Sequence, residues 1–254
     1  LFLNLRKIKK IYSQKPYKKI IILPKSGGLE DISSAYKNPD KNNDITFYIL
    51  PRILIKIIFH KFLKNENFED YSTKDTNVII TNKKKDYKSF IKKTFSSLDK
   101  FWKFNAIIGC NPFYYAENDL PEPIKGLGKK FLVVHKESVY SHVEQEIHLK
   151  MYRDQNKKYH ANKVAVYCEY EKKILTDSNF LESNQLEVVG CARSDYCYEF
   201  RNEKPLDNKV VYFMIDPNQN MSETSKKLSK ELRISWLDLA NLTIKHLVEY
   251  ASKH

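Results

Sequence analysis

Short apolar runs recur along the chain, each ended by polar residues and most of them by glycine or proline. Ile20-Ile-Ile-Leu23 passes into Pro24-Lys-Ser-Gly-Gly-Leu-Glu-Asp31, and Ala106-Ile-Ile108 into Gly109-Cys110-Asn111-Pro112. Phe131-Leu-Val-Val134 passes into His135-Lys136-Glu137, and Leu186-Glu-Val-Val189 into Gly190-Cys-Ala-Arg-Ser-Asp195. Ile45–Leu50 and Val164–Tyr167 have the same character, and Val78-Ile-Ile80 is a further expected strand. Runs that are apolar throughout, rather than alternating, predict strands buried on both faces, as in parallel sheets.

Between the runs the apolar period changes to that of a helix. One helix is expected over 51–64, with Pro51 acceptable in its first turn. Another is expected over 87–101, where Tyr87, Phe90, Ile91, Phe95, Leu98 and Phe101 are spaced for one face. Shorter helices are expected at 113–127, broken by Pro121 and Pro123, near 141–152, and at 169–175. Residues 1–18 are basic and read as a helix or an arm. The alternation of strand and helix predicts an α/β domain, a parallel sheet with helices on both faces. It spans residues 1–200. The polar stretch around Pro205 makes 201–209 a linker, and Val210-Val-Tyr-Phe-Met214 opens a second α/β domain over 210–254. That second domain would be incomplete: one strand, then a helix to the end with Trp236, Leu239, Leu242 and Leu247 as its apolar positions. The chain, which starts without Met, is therefore expected to be part of a longer polypeptide.

Composition narrows the class. Apolar residues make up 42% of the 254, with 17 Tyr and 14 Phe, which excludes a disordered chain. Lys and Arg exceed Asp and Glu by 44 to 31, a formal +13 that favours anionic partners or reflects solvated lysines. The four cysteines (Cys110, Cys168, Cys191, Cys197) have no metal-binding spacing and read as reduced thiols of a cytoplasmic protein. No run approaches the ~20 apolar residues that span a bilayer, and no secretory signal is visible. In the 51–64 segment Arg52, Lys56, His60 and Lys64 fall every four residues. Such a helix either covers the sheet or lies on the anionic inner membrane face.

Several segments together resemble the N-terminal half of GT-B glycosyltransferases of bacterial surface-carbohydrate biosynthesis. They are Gly27-Gly-Leu-Glu-Asp31, Leu50-Pro-Arg52, Asn111 with Tyr114-Tyr-Ala-Glu117, and His135-Lys-Glu-Ser138. Val166-Tyr-Cys-Glu-Tyr-Glu171 and Val189-Gly-Cys-Ala-Arg-Ser-Asp195 complete the set. The similarity covers about residues 18–250 and departs at Ala192, where a proline is expected. It implies two Rossmann-like domains, the first holding the acceptor and the second the nucleotide-sugar. It also implies that no metal or other cofactor is needed, with a nucleotide-sugar and a glycan or glycolipid acceptor as the binding partners. Some similar enzymes transfer Kdo from CMP-Kdo. The 254 residues alone are expected to be inactive, since most of the donor domain is missing.

Sugar transfer needs a carboxylate or imidazole near the reacting hydroxyl and cations or helix N-termini near the leaving phosphate. Glu137 and Asp195, each just past a strand, are the expected catalytic carboxylates, with His135 a candidate base. The plainer readings are an ion pair with Lys136 for Glu137, a cap for Asp195 and a hydrogen-bonded structural role for His135. Arg193 and Lys136 are candidate phosphate or carboxylate binders, unless Arg193 simply pairs with Asp195. Gly27, Gly28 and Glu30 would shape an acceptor loop, although a tight turn also demands glycine. Asn111 would contact sugar or form an Asx turn. Two other functions stay open on the sequence. One is nucleic-acid binding, which steep salt dependence would reveal but for which no motif is present, so no nucleic-acid partner is expected. The other is a non-catalytic module that grips glycan or lipid.

Overall fold

The computed structural model describes residues 6–7, 18–36, 45–63, 78–137, 142–155, 157–195 and 235–252. The chain divides into two compact units, Leu1–Arg201 and Asn202–His254. The expected linker at 201–209 and the expected strand at Val210–Met214 lie outside the described residues, as does Cys197.

The first unit is built on one sheet. In chain order its elements are β1 (Arg6–Lys7), β2 (Lys18–Ile22), α1 (Gly28–Ala35), β3 (Ile45–Ile49), α2 (Arg52–Leu63) and α3 (Val78–Trp102). They continue with β4 (Ala106–Gly109), α4 (Pro121–Lys125), β5 (Lys130–Val134), α5 (His142–Gln155), β6 (Lys163–Val166), α6 (Glu169–Asp177) and β7 (Leu186–Val188). Strand order is β1-β3-β2-β4-β5-β6-β7. Six strands run parallel, and the two residues of β1 add an antiparallel edge to β3. The sheet is the α/β, Rossmann-like arrangement that the apolar runs predict.

The two faces are covered unequally. Ile21, Ile107, Phe131, Val133, Val164 and Val166 point to one side, into a core with Ile55 and Phe59 of α2, Tyr87 and Phe95 of α3 and Ile174 of α6. Ile20, Ile22, Phe47 and Ile108 point to the other side, where Ile32 of α1 meets them. Adjacent residues of β2 thus divide between two cores, as the two-residue side-chain period of a strand requires.

Arg6–Lys7, read from the sequence as part of a helix or an arm, forms the short strand β1. Among the described residues the expected strands fall within a residue or two of their place, with one exception. Val78-Ile-Ile80 is not a strand; it begins the 25-residue α3. Ile80 belongs to the buried helical stripe of Tyr87, Ile91, Phe95 and Leu98, while Val78 and Ile79 face outward. The expected helix at 113–127 is mostly turns, and only 121–125 is helical. Pro121 and Pro123 do not break it. They sit in its first turn, where their missing N–H groups have no partner to lose.

In the second unit the described element is α7 (Trp236–Ala251). The Ser235 hydroxyl accepts from the Asp238 amide at 3.0 Å and Asp238 reaches back to the Ser235 amide at 3.3 Å, a reciprocal cap.

Candidate functional site

Strand order reverses at β2. The chain leaves β2 outward to β3 and returns to β4 on the other side. Ligands of open α/β sheets bind at such a switch point, past the carboxyl ends of the strands. Here the segments in that position are 23–31 after β2, 110–120 after β4, 135–137 after β5 and 189–195 after β7.

Gly27 and Gly28 make the turn from β2 into α1. Gly27 has φ +80°, and a Cβ there would lie 2.1 Å from Arg193 Nη1. A Cβ on Gly28 would lie 2.7 Å from Cys110 Sγ. Both glycines therefore serve close approach, the first to a guanidinium and the second to the end of β4. Cys110 is buried, its thiol donates to the Leu23 carbonyl at 3.4 Å, and burial pushes it up to about 11, so it stays protonated.

Lys136 is pinned from three elements. Its amide donates to the Cys110 carbonyl at 3.3 Å, and its own carbonyl accepts from Arg193 Nη2 and from the Tyr167 hydroxyl, each at 3.2 Å. Its ammonium donates to Glu137 Oε1, and Asn111 Nδ2 donates to Glu137 Oε2 at 2.6 Å. The other end of the Asn111 amide accepts from the Phe113 amide at 2.7 Å, which locks the group in an Asx turn aimed at Glu137. Burial alone would raise the Glu137 carboxyl. The Lys136 ammonium, aided by Asn111, outweighs it and holds the group below the usual carboxylate range.

Asp31, buried on the inner side of α1, ties the edge together. Its carboxylate accepts from the Tyr167 hydroxyl and from the Arg193 amide at 3.0 Å, and lies 3.6 Å from Arg193 Nη1. The Arg193 guanidinium also sits over the Tyr167 ring, 5.5 Å from its centre. Arg193 thus pairs with Asp31. Asp195 is exposed just past the turn 192–194 that carries Arg193. Glu30 is likewise exposed, one residue and about 100° of helix from Asp31.

A second charged group stands behind this edge. Arg52, at the start of α2, donates through Nε to Glu117 Oε1, and its guanidinium stacks on Tyr114, 3.9 Å from the ring centre. Glu117 is buried and its Oε2 has no hydrogen-bond partner. Burial outweighs Arg52 and pushes the carboxyl up to about 7. Arg52 therefore does not share an outward stripe with Lys56 and His60; of the expected stripe His60 is exposed and Lys56 half-buried. The outward side of α2 is Ile53, Ile57, His60 and Lys61, and Lys64 lies outside the described residues.

His135 is wholly buried. Its Nδ1 faces the Glu171 carboxylate of α6, and its ring meets Phe113 edge-on. It points into the core rather than to the strand-end edge. The structure thus joins Gly27, Gly28, Asn111, Lys136, Glu137 and Arg193, and adds Asp31, Tyr167, Arg52, Tyr114 and Glu117. Asp31 left a trace in the sequence: it shares the 28, 31, 32 stripe with Gly28 and Ile32, the inward face of α1.

Among the described residues no group of three or more His, Cys, Asp or Glu side chains could hold a metal ion. No family model, curated protein or solved structure matches the chain.

Proposed function

We propose that the protein is a glycosyltransferase of the GT-B kind, and that the strand-end edge of its first unit handles the acceptor. It would act on the cytoplasmic side, moving a sugar from a nucleotide-sugar to a growing surface glycan or glycolipid without a cofactor. One observation carries the reading: an ionised carboxylate, Glu137, is held by Lys136 and Asn111 at the switch point beside a glycine turn. A carboxylate fixed on both oxygens can accept a hydrogen bond from a sugar hydroxyl and orient it for attack. Lys136 and Arg193, with the start of α1 at Gly28, supply positive charge for a phosphate or an acidic sugar nearby.

The test is a transfer assay on the full-length protein. Glu137→Gln keeps the shape and the Asn111 side of the contact while removing the charge. It is predicted to lower kcat by about 100-fold or more with the melting temperature unchanged. A Glu137→Gln enzyme running at the wild-type rate would remove this residue from the reaction.

A further inference from the structure

The formal charge of the chain is concentrated on two helices. Arg52, Lys56 and Lys61 give α2 three cations and no acid; α3 has seven lysines against Asp86 and Asp99. Together they hold a net +8 of the chain's +13. They pack on each other through Phe59, Phe62 and Tyr87, and cover the same face of the sheet. Their outward sides therefore face the same way.

Those outward sides are neither purely basic nor purely apolar. On α2, Ile53 and Ile57 stand one turn apart with 59% and 58% of their surfaces exposed, next to Lys61. On α3, Val78 and Ile79 are 72% and 63% exposed, and Lys85, Lys93 and Lys100 follow on the side opposite the buried stripe. Asp86 is the single acidic residue among the exposed positions of the two helices. No described helix is long and apolar enough to cross a membrane.

We propose that the outward side of α2 and α3 is a docking surface for an anionic lipid bilayer. Lysines attract the negative surface, and the aliphatic side chains enter the boundary between headgroups and acyl chains, each adding to the other. Aliphatic residues are what separate a bilayer from a nucleic acid here. A polyanionic strand would use the lysines and aromatic faces and gain nothing from Ile53 and Ile57. The proposal does not depend on the transferase reading: Arg52 counts toward the charge of α2 but faces Glu117 in the strand-end site, and none of the outward residues named here belongs to that site.

Co-sedimentation of the 254-residue chain with vesicles tests it, using phosphatidylcholine containing phosphatidylglycerol against phosphatidylcholine alone. Binding is expected to the anionic vesicles only and to weaken with salt. Ile53→Ser with Ile57→Ser, and separately Lys93→Glu with Lys100→Glu, should each lower partitioning about tenfold. All four positions are exposed, so thermal melts should match the wild type. Absence of binding to anionic vesicles at low salt would overturn the proposal, as would either double variant binding like the wild type. RNA binding that the isoleucine variant retains, without vesicle binding, would assign the surface to nucleic acid instead.

Discussion

A side chain at Gly27 would strain the backbone and displace Arg193. The position has φ +80°, and a Cβ would meet Arg193 Nη1 at 2.1 Å. Gly27→Ala is predicted to cost about 1–3 kcal/mol of stability and to move Arg193 off the Lys136 carbonyl. Denaturant melts measure the first effect. Glu117 makes a prediction of a different kind. Its folded value of about 7 exceeds the 4.5 of an ordinary glutamate. The folded chain keeps a proton that the unfolded chain releases between those values. Stability is therefore predicted to fall as pH rises across that window, by up to about 3 kcal/mol. Urea melts from pH 4 to 8 should show this slope in the wild type and lose it in Glu117→Gln; equal slopes would contradict the assignment. At this scale the sequence was a partial guide. Polar residues just past strand ends identified Asn111, Lys136, Glu137 and Arg193. It pointed to Glu30 where Asp31 turns inward, because helical phase, not chemical type, decides which carboxylate is buried. His135 follows β5 as closely as Glu137 does, yet it enters the core to meet Glu171.

Elements were read best where one physical signal dominated. Ile20–Leu23, Ala106–Ile108 and Phe131–Val134 are apolar throughout and became central strands. Val78-Ile-Ile80 has the same look, but three residues cannot distinguish a buried strand from the start of a helix. Membership of Ile80 in the stripe that continues to Leu98 decided it. Pro121 and Pro123 looked like helix breakers and proved to be helix starters. One basic position of α2 also turned inward: Arg52 was expected on a stripe with Lys56, His60 and Lys64 but pairs with Glu117, while Ile53 and Ile57 are exposed. Between β5 and α6, the buried His135–Glu171 pair locks two elements of the main core. His135→Ala, which leaves a carboxylate buried without that partner, is predicted to cost about 3 kcal/mol. A denaturant melt checks this. A stability like the wild type's would mean that the pair does not lock the elements.

For the first unit as a whole, the α/β class was legible from the alternation of runs, but the strand order was not. That β3 lies outside β2 while β4 lies inside is a matter of which way each crossover turns, and no residue pattern states it. Yet this order creates the switch point at which Gly28 meets Cys110 and Lys136 meets Arg193. The unequal covering of the two faces was equally invisible: among the described residues α2, α3, α4, α5 and α6 join one core and α1 alone the other. The transferase reading rests on the strand-end edge, and binding tests it most directly. Calorimetric titration of the full-length protein with a panel of nucleotide-sugars, CMP-Kdo included, and of acceptor glycans should find at least one ligand. The affinity for an acceptor glycan should drop about tenfold or more in Asn111→Ala or Lys136→Ala. A panel that yields no ligand, or an acceptor held equally well by both variants, would contradict the account.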